Sequence, residues 1–159
     1  MIGPALRRAI QSDAPLIRAL VRSAYAKWVP MIGREPQPMV VDYAQAIRDH
    51  VVDLLCVEDQ LVALIETVPE PGYLLIENVA VAPGCQGRGY GRLLMEHAEQ
   101  FAASLGRMQV RLYTNARFTE NIRFYDRLGY TVDRQEPFKD GVRVHMSKHI
   151  GNPGLSSRL

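Results

Sequence analysis

Residues 79–91 read Val-Ala-Val-Ala-Pro-Gly-Cys-Gln-Gly-Arg-Gly-Tyr-Gly. An apolar strand leads into this segment, and an amphipathic helix leads out of it from Tyr90. Gly87, Gly89 and Gly91 allow the backbone to approach a ligand and to turn its N–H groups toward one point. Together with the positive end of the helix, those amides suit phosphate oxygens. The segment therefore predicts a strand–loop–helix unit that binds an anion, with an ordinary tight connection as the alternative.

Two well-known phosphate loops do not match this segment. A dinucleotide-binding fingerprint that starts at Gly87 requires glycine or alanine at position 92, where the chain has Arg92. A nucleoside-triphosphate loop requires Gly-Lys-Ser/Thr, a tripeptide that the sequence does not contain. The pattern that remains is Gln/Arg-x-x-Gly-x-Gly/Ala, which Gln86, Gly89 and Gly91 fill.

A second block of sequence, residues 121–130, reads Asn-Ile-Arg-Phe-Tyr-Asp-Arg-Leu-Gly-Tyr. The two blocks in this order resemble the Gcn5-related N-acetyltransferase (GNAT) family, in which the glycine-rich loop binds the pyrophosphate of acetyl-coenzyme A. The resemblance covers about residues 5–148. It implies an α+β fold: a central, mostly antiparallel sheet of six to seven strands, splayed between the fourth and fifth strands and flanked by about four helices.

Apolar periodicity along the rest of the chain predicts the same mixed order of elements. The predicted strands cover residues 6–10, 51–57, 61–68, 73–81, 110–113, 130–134 and 142–148. The predicted helices cover residues 13–25, 40–50, 90–105 and 117–128, with a proline-broken connection between the first two. We expect one N-acetyltransferase domain over residues 1–150 and a flexible tail over residues 151–159.

The resemblance implies direct attack of an amine on the thioester, without an acyl-enzyme. An alkyl amine, with a pKa of about 10, must first lose a proton, and the departing thiolate leaves more easily when it is protonated. Tyr125 is the implied acid. Asn121 lies one helical turn earlier on the same face and is implied to contact the cofactor. From the residues alone, Tyr125 is also compatible with a core aromatic.

Glu77 is the candidate base, in the strand that leads to the glycine-rich loop. Strand alternation places it on one face with Val79 and Val81, so we expect apolar neighbours around its carboxylate, with an exposed glutamate as the alternative. The backbones of Val79 and Val81 are implied to bind the amide-bearing arm of the cofactor as an added strand would.

Two further sets of residues complete the predicted site. Contacts to the cofactor phosphates are expected from Gln86, Gly87, Arg88, Gly89, Gly91 and Arg92. The acceptor pocket is implied near the proline-rich connection, where aromatic and thioether side chains gather. These side chains are Tyr25, Trp28 and Met39, which are equally compatible with a plain core.

The composition excludes several classes of protein. The 159 residues are 47% hydrophobic and 23% charged, which is typical of a soluble globular domain. Nineteen basic against 17 acidic residues call for neither a nucleic-acid nor a membrane partner. Net charge is +3 over residues 1–50, −5 over 51–110 and +4 over 111–159. An acidic middle and a basic last third suit a cationic acceptor and an anionic cofactor, or are solvated faces.

We therefore predict a metal-independent acyl-CoA N-acyltransferase that moves an acetyl group from acetyl-CoA to a primary amine of a small molecule. Acetylation of a protein N-terminus or lysine, a non-catalytic acetyl-CoA sensor and a generic nucleotide-phosphate binder are the alternatives. The first ten residues lack the apolar core of a signal peptide, which predicts a cytoplasmic protein. Ser157-Arg158-Leu159 resembles a peroxisomal tail or is a frayed terminus. The resemblance also implies a possible homodimer.

Overall fold

The computed structural model describes residues 3–151, in which strands and helices follow the predicted order. The strands are β1 Ala5–Arg8, β2 Val51–Val57, β3 Gln60–Glu70, β4 Tyr73–Val81, β5 Gln109–Asn115, β6 Thr131–Phe138 and β7 Gly141–His149. The helices are α1 Ala14–Tyr25, α2 Val29–Ile32, α3 Gln37–Val40, α4 Tyr43–Asp49, α5 Tyr90–Ser104 and α6 Thr119–Arg127. Apart from Gly151, the predicted tail lies outside the described residues, as does Ser157-Arg158-Leu159.

The seven strands form one mixed sheet in the order β1-β2-β3-β4-β5-β7-β6. Strands β1–β2, β2–β3, β5–β7 and β6–β7 pair antiparallel, whereas β4 and β5 pair parallel. The parallel register runs from Tyr73 opposite Gln109 to Ile76 opposite Leu112, and β4 then continues to Val81. The predicted α+β fold class is confirmed.

The sheet strands and their helices divide into two compact units. The first contains the described residues up to Thr67 together with Asn78–Met95. Its core forms because the apolar side chains of α1 recur every three or four residues and therefore share one face. Ile17 and Val21 on that face, and Leu54 and Leu64 on β2 and β3, are fully buried in one cluster.

The proline-rich connection between α1 and α4 is more helical than the sequence predicted. It contains α2 and α3, each a single turn with a proline in its first positions, where the missing N–H group has no intrahelical role. Helix α4 begins at Tyr43, three residues later than predicted, because Asp42 caps it. The Asp42 carboxylate accepts hydrogen bonds from the N–H groups of Ala44 and Gln45, at 3.0 and 3.2 Å.

The second unit contains Val68–Glu77 and the described residues from Glu96 onward. Alternation along β4, β5 and β7 buries one set of side chains, including Leu74, Val110 and Met146. The positions between them, among them Arg111 and His145, form the other face of these strands and, apart from the buried Ser147, are at least partly exposed. Within residues 3–151, no helix combines the length and the apolar character that crossing a membrane requires.

Candidate active site

The predicted phosphate loop lies between β4 and α5, in the first unit. Gln86, Arg88 and both glycines between Gln86 and Tyr90 are exposed, and Gly87 and Gly89 have φ of +79° and +83°. Residues other than glycine rarely adopt this left-handed conformation. Beyond the adjoining residues of the chain, no atom lies within 4 Å of the position that a Cβ would take at either glycine. The loop therefore presents bare backbone to open space, as an anion-binding loop requires.

Helix α5 starts directly at the end of this loop. The Gly89 carbonyl accepts the first helical hydrogen bond, from the Leu93 N–H at 3.0 Å. The first amides of an α-helix have no intrahelical acceptor and carry the positive end of the helix dipole. Arg88 in the loop and Arg92 in the first turn are both exposed at this end of the helix. Backbone donors and positive side chains thus occur together here.

Val79 and Val81 are half-buried and lie on the same face of strand β4, as the alternation in the sequence predicted. The carbonyl of Val79 lies 3.4 Å from the Tyr25 hydroxyl, whose one proton is shared mainly with Asn78, and the carbonyl of Val81 accepts a bond from the Gln86 amide at 3.3 Å. Each carbonyl oxygen has a second lone pair, so these bonds leave acceptor capacity for a ligand.

Tyr125 lies on α6 in the second unit, one turn after the half-buried Asn121. The residue is 9% exposed, and its ring contacts that of Tyr130 edge-on, with centroids 6.1 Å apart. Within residues 3–151, its hydroxyl has no hydrogen-bond partner. Buried tyrosine hydroxyls usually find a partner, as that of Tyr130 does with the Glu99 carboxylate at 3.1 Å. The Tyr125 hydroxyl is therefore available to a ligand.

Burial raises the pKa of the Tyr125 phenol to about 12, because the charged phenolate is poorly solvated there. The buried phenols of Tyr43 and Tyr130 also have raised pKa values, for the same main reason. At neutral pH all three are protonated. A proton donor at position 125 would thus be in its acid form throughout the physiological range.

The raised pKa of Tyr125 predicts alkaline destabilisation. Between about pH 10 and 12 the unfolded chain loses a tyrosine proton that the folded chain retains, so the free energy of unfolding falls as pH rises. Urea titrations should show this fall above pH 10, and Tyr125→Phe should remove about 2 to 3 kcal/mol of it. Equal pH slopes in the two proteins would contradict the assignment.

Glu77 lies on β4 in the second unit, and its neighbour differs from the prediction. The Tyr113 hydroxyl donates to the Glu77 carboxylate, at 2.8 and 3.0 Å from its two oxygens. The expectation of apolar neighbours is wrong because the parallel register of β4 and β5 brings a phenol beside the carboxylate. A carboxylate held by one hydroxyl keeps further acceptor positions for an ammonium or a water molecule.

Tyr113 is the functional candidate that the sequence analysis missed. Its ring lies 5.9 Å from that of His145, and the Arg143 guanidinium lies 4.1 Å from its centroid. These side chains alternate along β5 and β7 on one face of the sheet. The alternation of Arg111 and Tyr113 in the sequence was a signal for this face. Which strand lies beside it, however, depends on tertiary pairing.

A cleft of about 420 Å³ opens on this face of the second unit. Its lining includes Tyr73, Arg111, Tyr113, Arg134, Arg143 and His145. Small-molecule sites usually occupy a few hundred Å³ and combine aromatic walls with a few polar groups, so the cleft is suited to a small ligand. Among residues 3–151, no three His, Cys, Asp or Glu side chains are placed to hold a metal ion together.

The residues predicted to line the acceptor pocket all belong to the first unit. Trp28 and Met39 are 5% and 4% exposed, so both pack as core side chains in this structure. Tyr25 is half-buried, and its hydroxyl donates to Asn78 Oδ1 at 2.8 Å, while the Asn78 amide donates to the Tyr43 hydroxyl at 3.2 Å. A role for these three residues in acceptor binding stays a prediction.

Two curated proteins share segments with this chain. N-alpha-acetyltransferase 80 of Mus musculus is 40% identical over 69 residues, which are 43% of this chain and 21% of the mouse protein. Streptothricin acetyltransferase of Streptomyces lavendulae is 40% identical over 57 residues, 36% of this chain and 30% of that enzyme. The chain thus spans less than a third of the length of either relative it matches.

Similarity to solved structures extends over nearly the whole chain. PaiA N-acetyltransferase from Thermoplasma acidophilum, solved in complex with coenzyme A, superposes with a TM-score of 0.77 at 15% identity and covers 93% of this chain and 99% of its own. At this identity the likeness concerns the fold. The sequence family described as "Acetyltransferase (GNAT) family" matches residues 17–130, close to three quarters of the chain. We conclude that the chain belongs to the GNAT acetyltransferase family, a family of transferase enzymes.

Proposed function

We propose that this protein is an N-acetyltransferase that moves the acetyl group of acetyl-CoA to a primary amine of a small molecule. The observation that carries the proposal is Tyr125, a mostly buried side chain whose hydroxyl is protonated and has no hydrogen-bond partner within residues 3–151. It stands at the position that the family motif assigns to the acid. The family match supports the reaction class, and the geometry supports the residue.

The proposed reaction is a direct transfer with three proton movements. The ammonium group of the acceptor gives one proton to Glu77, directly or through water, and the free nitrogen then attacks the thioester carbonyl. The nitrogen loses its second proton to solvent, the carbon–sulfur bond breaks, and the departing sulfur takes the Tyr125 hydroxyl proton. An amide and a free thiol result. Solvent carries the Glu77 proton to Tyr125, so both side chains end as they began and one proton is released overall.

The glycine-rich loop supplies the proposed cofactor site. Exposed amides at the start of α5, the left-handed Gly87 and Gly89, and the side chains of Arg88 and Arg92 would bind the diphosphate. Gln86, Gly91 and Asn121 belong to the same proposed set, as do the backbones of Val79 and Val81. Open space around both left-handed glycines supports this fit.

Two acceptor classes compete within this proposal. The relative from Mus musculus is named an N-alpha-acetyltransferase, and the relative from Streptomyces lavendulae a streptothricin acetyltransferase. The cleft of about 420 Å³ is in the range of small-molecule sites and supports the second class. Acetylation of a protein N-terminus or lysine is the alternative. A cytoplasmic location and a homodimer paired through an edge strand are part of the proposal.

The test is release of free thiol from acetyl-CoA across a panel of small amines, amine-bearing antibiotics and peptides. We expect turnover with small amines, with coenzyme A as a product inhibitor. Preferential turnover of peptides would replace the small-molecule acceptor with the protein alternative. Cofactor binding without turnover of any acceptor would favour a sensor, and equal competition by ATP or NAD would favour a generic phosphate binder.

Glu77→Gln tests the proposed base in the same assay. The amide keeps the shape of the side chain and its contact with Tyr113 but takes up no proton, so we expect kcat/KM at neutral pH to fall about 10²-fold. The loss should shrink at alkaline pH, where more of the amine is already unprotonated. If the acidic limb of the pH–rate profile is the same in both proteins, Glu77 is not the base.

A further inference from the structure

Two arginines on the cleft wall stand out because neither forms an ion pair within residues 3–151. Arg143 lies against two aromatic rings, 3.6 Å from the Phe138 centroid and 4.1 Å from that of Tyr113. Arg111 lies 4.0 Å from the Tyr73 ring, and its Nε donates to the Gln109 side chain at 3.0 Å. Aromatic stacking, rather than a carboxylate, holds both guanidinium groups.

The carboxylate best placed to neutralise Arg143 is engaged elsewhere. Glu136 lies directly opposite Arg143 in the β6–β7 register. Its two oxygens instead contact His145 at 2.6 Å and Arg134 at 3.1 Å, and these contacts hold the pKa of Glu136 below its usual value. Asp133 is the acidic side chain on the cleft lining itself, and it forms no ion pair with Arg143. The half-buried Arg143 therefore keeps a positive charge and in-plane donors for a partner that is not part of the chain.

Tyr113 places this arginine in relation to the proposed base. Its hydroxyl donates to the Glu77 carboxylate, and the face of the same ring carries the Arg143 guanidinium. One tyrosine side chain thus separates a negative group suited to an ammonium from a positive group suited to an anion. A ligand that carries both charges, a few bonds apart, is complementary to both groups.

We infer that the cleft binds an anionic group of the acceptor, so that the acceptor is an amine bearing a carboxylate or phosphate a few bonds from its nitrogen. Arg143 binds the anion through its in-plane N–H donors, and the amine lies toward Glu77. The inference rests on the proposed function, since it names the substrate class for that reaction. In this assignment Arg143 determines which acceptor binds and takes no part in the proton transfers.

The first experiment compares paired acceptors in the thiol-release assay: β-alanine with its amide, phosphoethanolamine with ethanolamine, and a short peptide with an acidic second residue against its glutamine counterpart. We expect kcat/KM to be at least tenfold higher for the charged member of the preferred pair. The pair with the largest ratio shows whether the anionic group of the acceptor is a carboxylate or a phosphate. It also shows whether the acceptor is a free metabolite or a peptide. Ratios near one in all three pairs overturn the inference.

The second experiment uses Arg143→Gln. It should raise KM for the anionic acceptor about 10- to 100-fold and leave kcat/KM for its neutral partner within about twofold. Arg143→Lys, which keeps the charge without the planar donors, should recover part of the affinity. Arg18→Gln, on the exposed side of α1, removes the same charge outside the cleft and should change neither acceptor. Equal effects of Arg143→Gln on both acceptors would overturn the inference.

Calorimetry of the anionic amine with wild type, Arg143→Gln and Arg143→Lys separates this inference from the proposed function. Binding that depends on Arg143 without any thiol release would support the anion site and refute the acetyl transfer. Turnover of neutral and anionic amines alike, unaffected by Arg143→Gln, would support the transfer and refute the anion site. Neither binding nor turnover would refute both.

Discussion

Replacing Tyr125 with phenylalanine should lower kcat by about 10²-fold or more while leaving the affinity for coenzyme A near that of wild type. The change removes one oxygen atom, the proposed source of the proton that the departing sulfur takes. Thiol release at saturating acetyl-CoA measures kcat, and calorimetry with coenzyme A measures affinity. A pure effect on rate would assign Tyr125 to the chemical step.

The structure gives a physical reason to expect that separation. The Tyr125 hydroxyl makes no hydrogen bond within residues 3–151, so its removal breaks none of the contacts described there. The ring remains, and with it the edge-on contact with Tyr130. Because the variant loses no hydrogen bond and keeps the ring contact, the free energy of unfolding at neutral pH should change by less than about 1 kcal/mol.

Tyr130→Phe is the matched control, since it makes the same chemical change five residues away. The Tyr130 hydroxyl donates to Glu99, whose other oxygen accepts from Lys148 at 2.9 Å. Losing this bond to a charged group should cost about 1.5 to 3 kcal/mol of stability and leave kcat within a few-fold of wild type. If Tyr125→Phe instead weakens coenzyme A binding as much as it slows turnover, the role of Tyr125 is to bind the cofactor and not to donate a proton. If it changes neither, the Tyr125 hydroxyl is not the acid.

The parts of the fold that the sequence predicted well are those with strong apolar patterns. Strand β4 was predicted over residues 73–81 and has those bounds, because alternate side chains along it are buried. Strand β6 was predicted to end at Arg134 but runs to Phe138. Its first five residues are exposed, so no alternation of apolar side chains marks the strand. The pairing with β7 defines it, and that pairing is a tertiary feature.

The candidate site divides in the same way between local and tertiary features. The loop around Gly87 and Gly89 was predictable because the left-handed backbone requires glycine, and glycines can be read directly from a single sequence. The contact of Glu77 with Tyr113 was not, since it joins residues 36 positions apart through the parallel register of β4 and β5. For the same reason, nothing local in the sequence indicated that Arg143 stacks on Tyr113 rather than pairing with Glu136.

Replacing Gly89 with glutamate should abolish detectable coenzyme A binding. A carboxylate would then stand among the amides proposed to bind the diphosphate. Two unit charges 4 Å apart repel by roughly 4 kcal/mol at an effective dielectric of 20, which corresponds to about 10³-fold in affinity. Calorimetry and the thermal shift on adding coenzyme A both measure the loss. Wild-type affinity in this variant would remove the loop from the cofactor site.

Backbone strain is the other way in which this substitution would weaken binding, and the chain offers a control that separates the two effects. Gly72, in the turn between β3 and β4, has the same φ of +83° and is exposed. Beyond its adjoining residues, no atom lies within 4 Å of the position that its Cβ would take. Gly72→Glu should therefore lose the same 1 to 2 kcal/mol or so of stability as Gly89→Glu but bind coenzyme A normally. Gly89→Ala carries the strain without the charge, so its affinity should lie between those of wild type and Gly89→Glu. If alanine abolishes binding as fully as glutamate does, the loop acts through its backbone conformation, and repulsion of the diphosphate is not the cause.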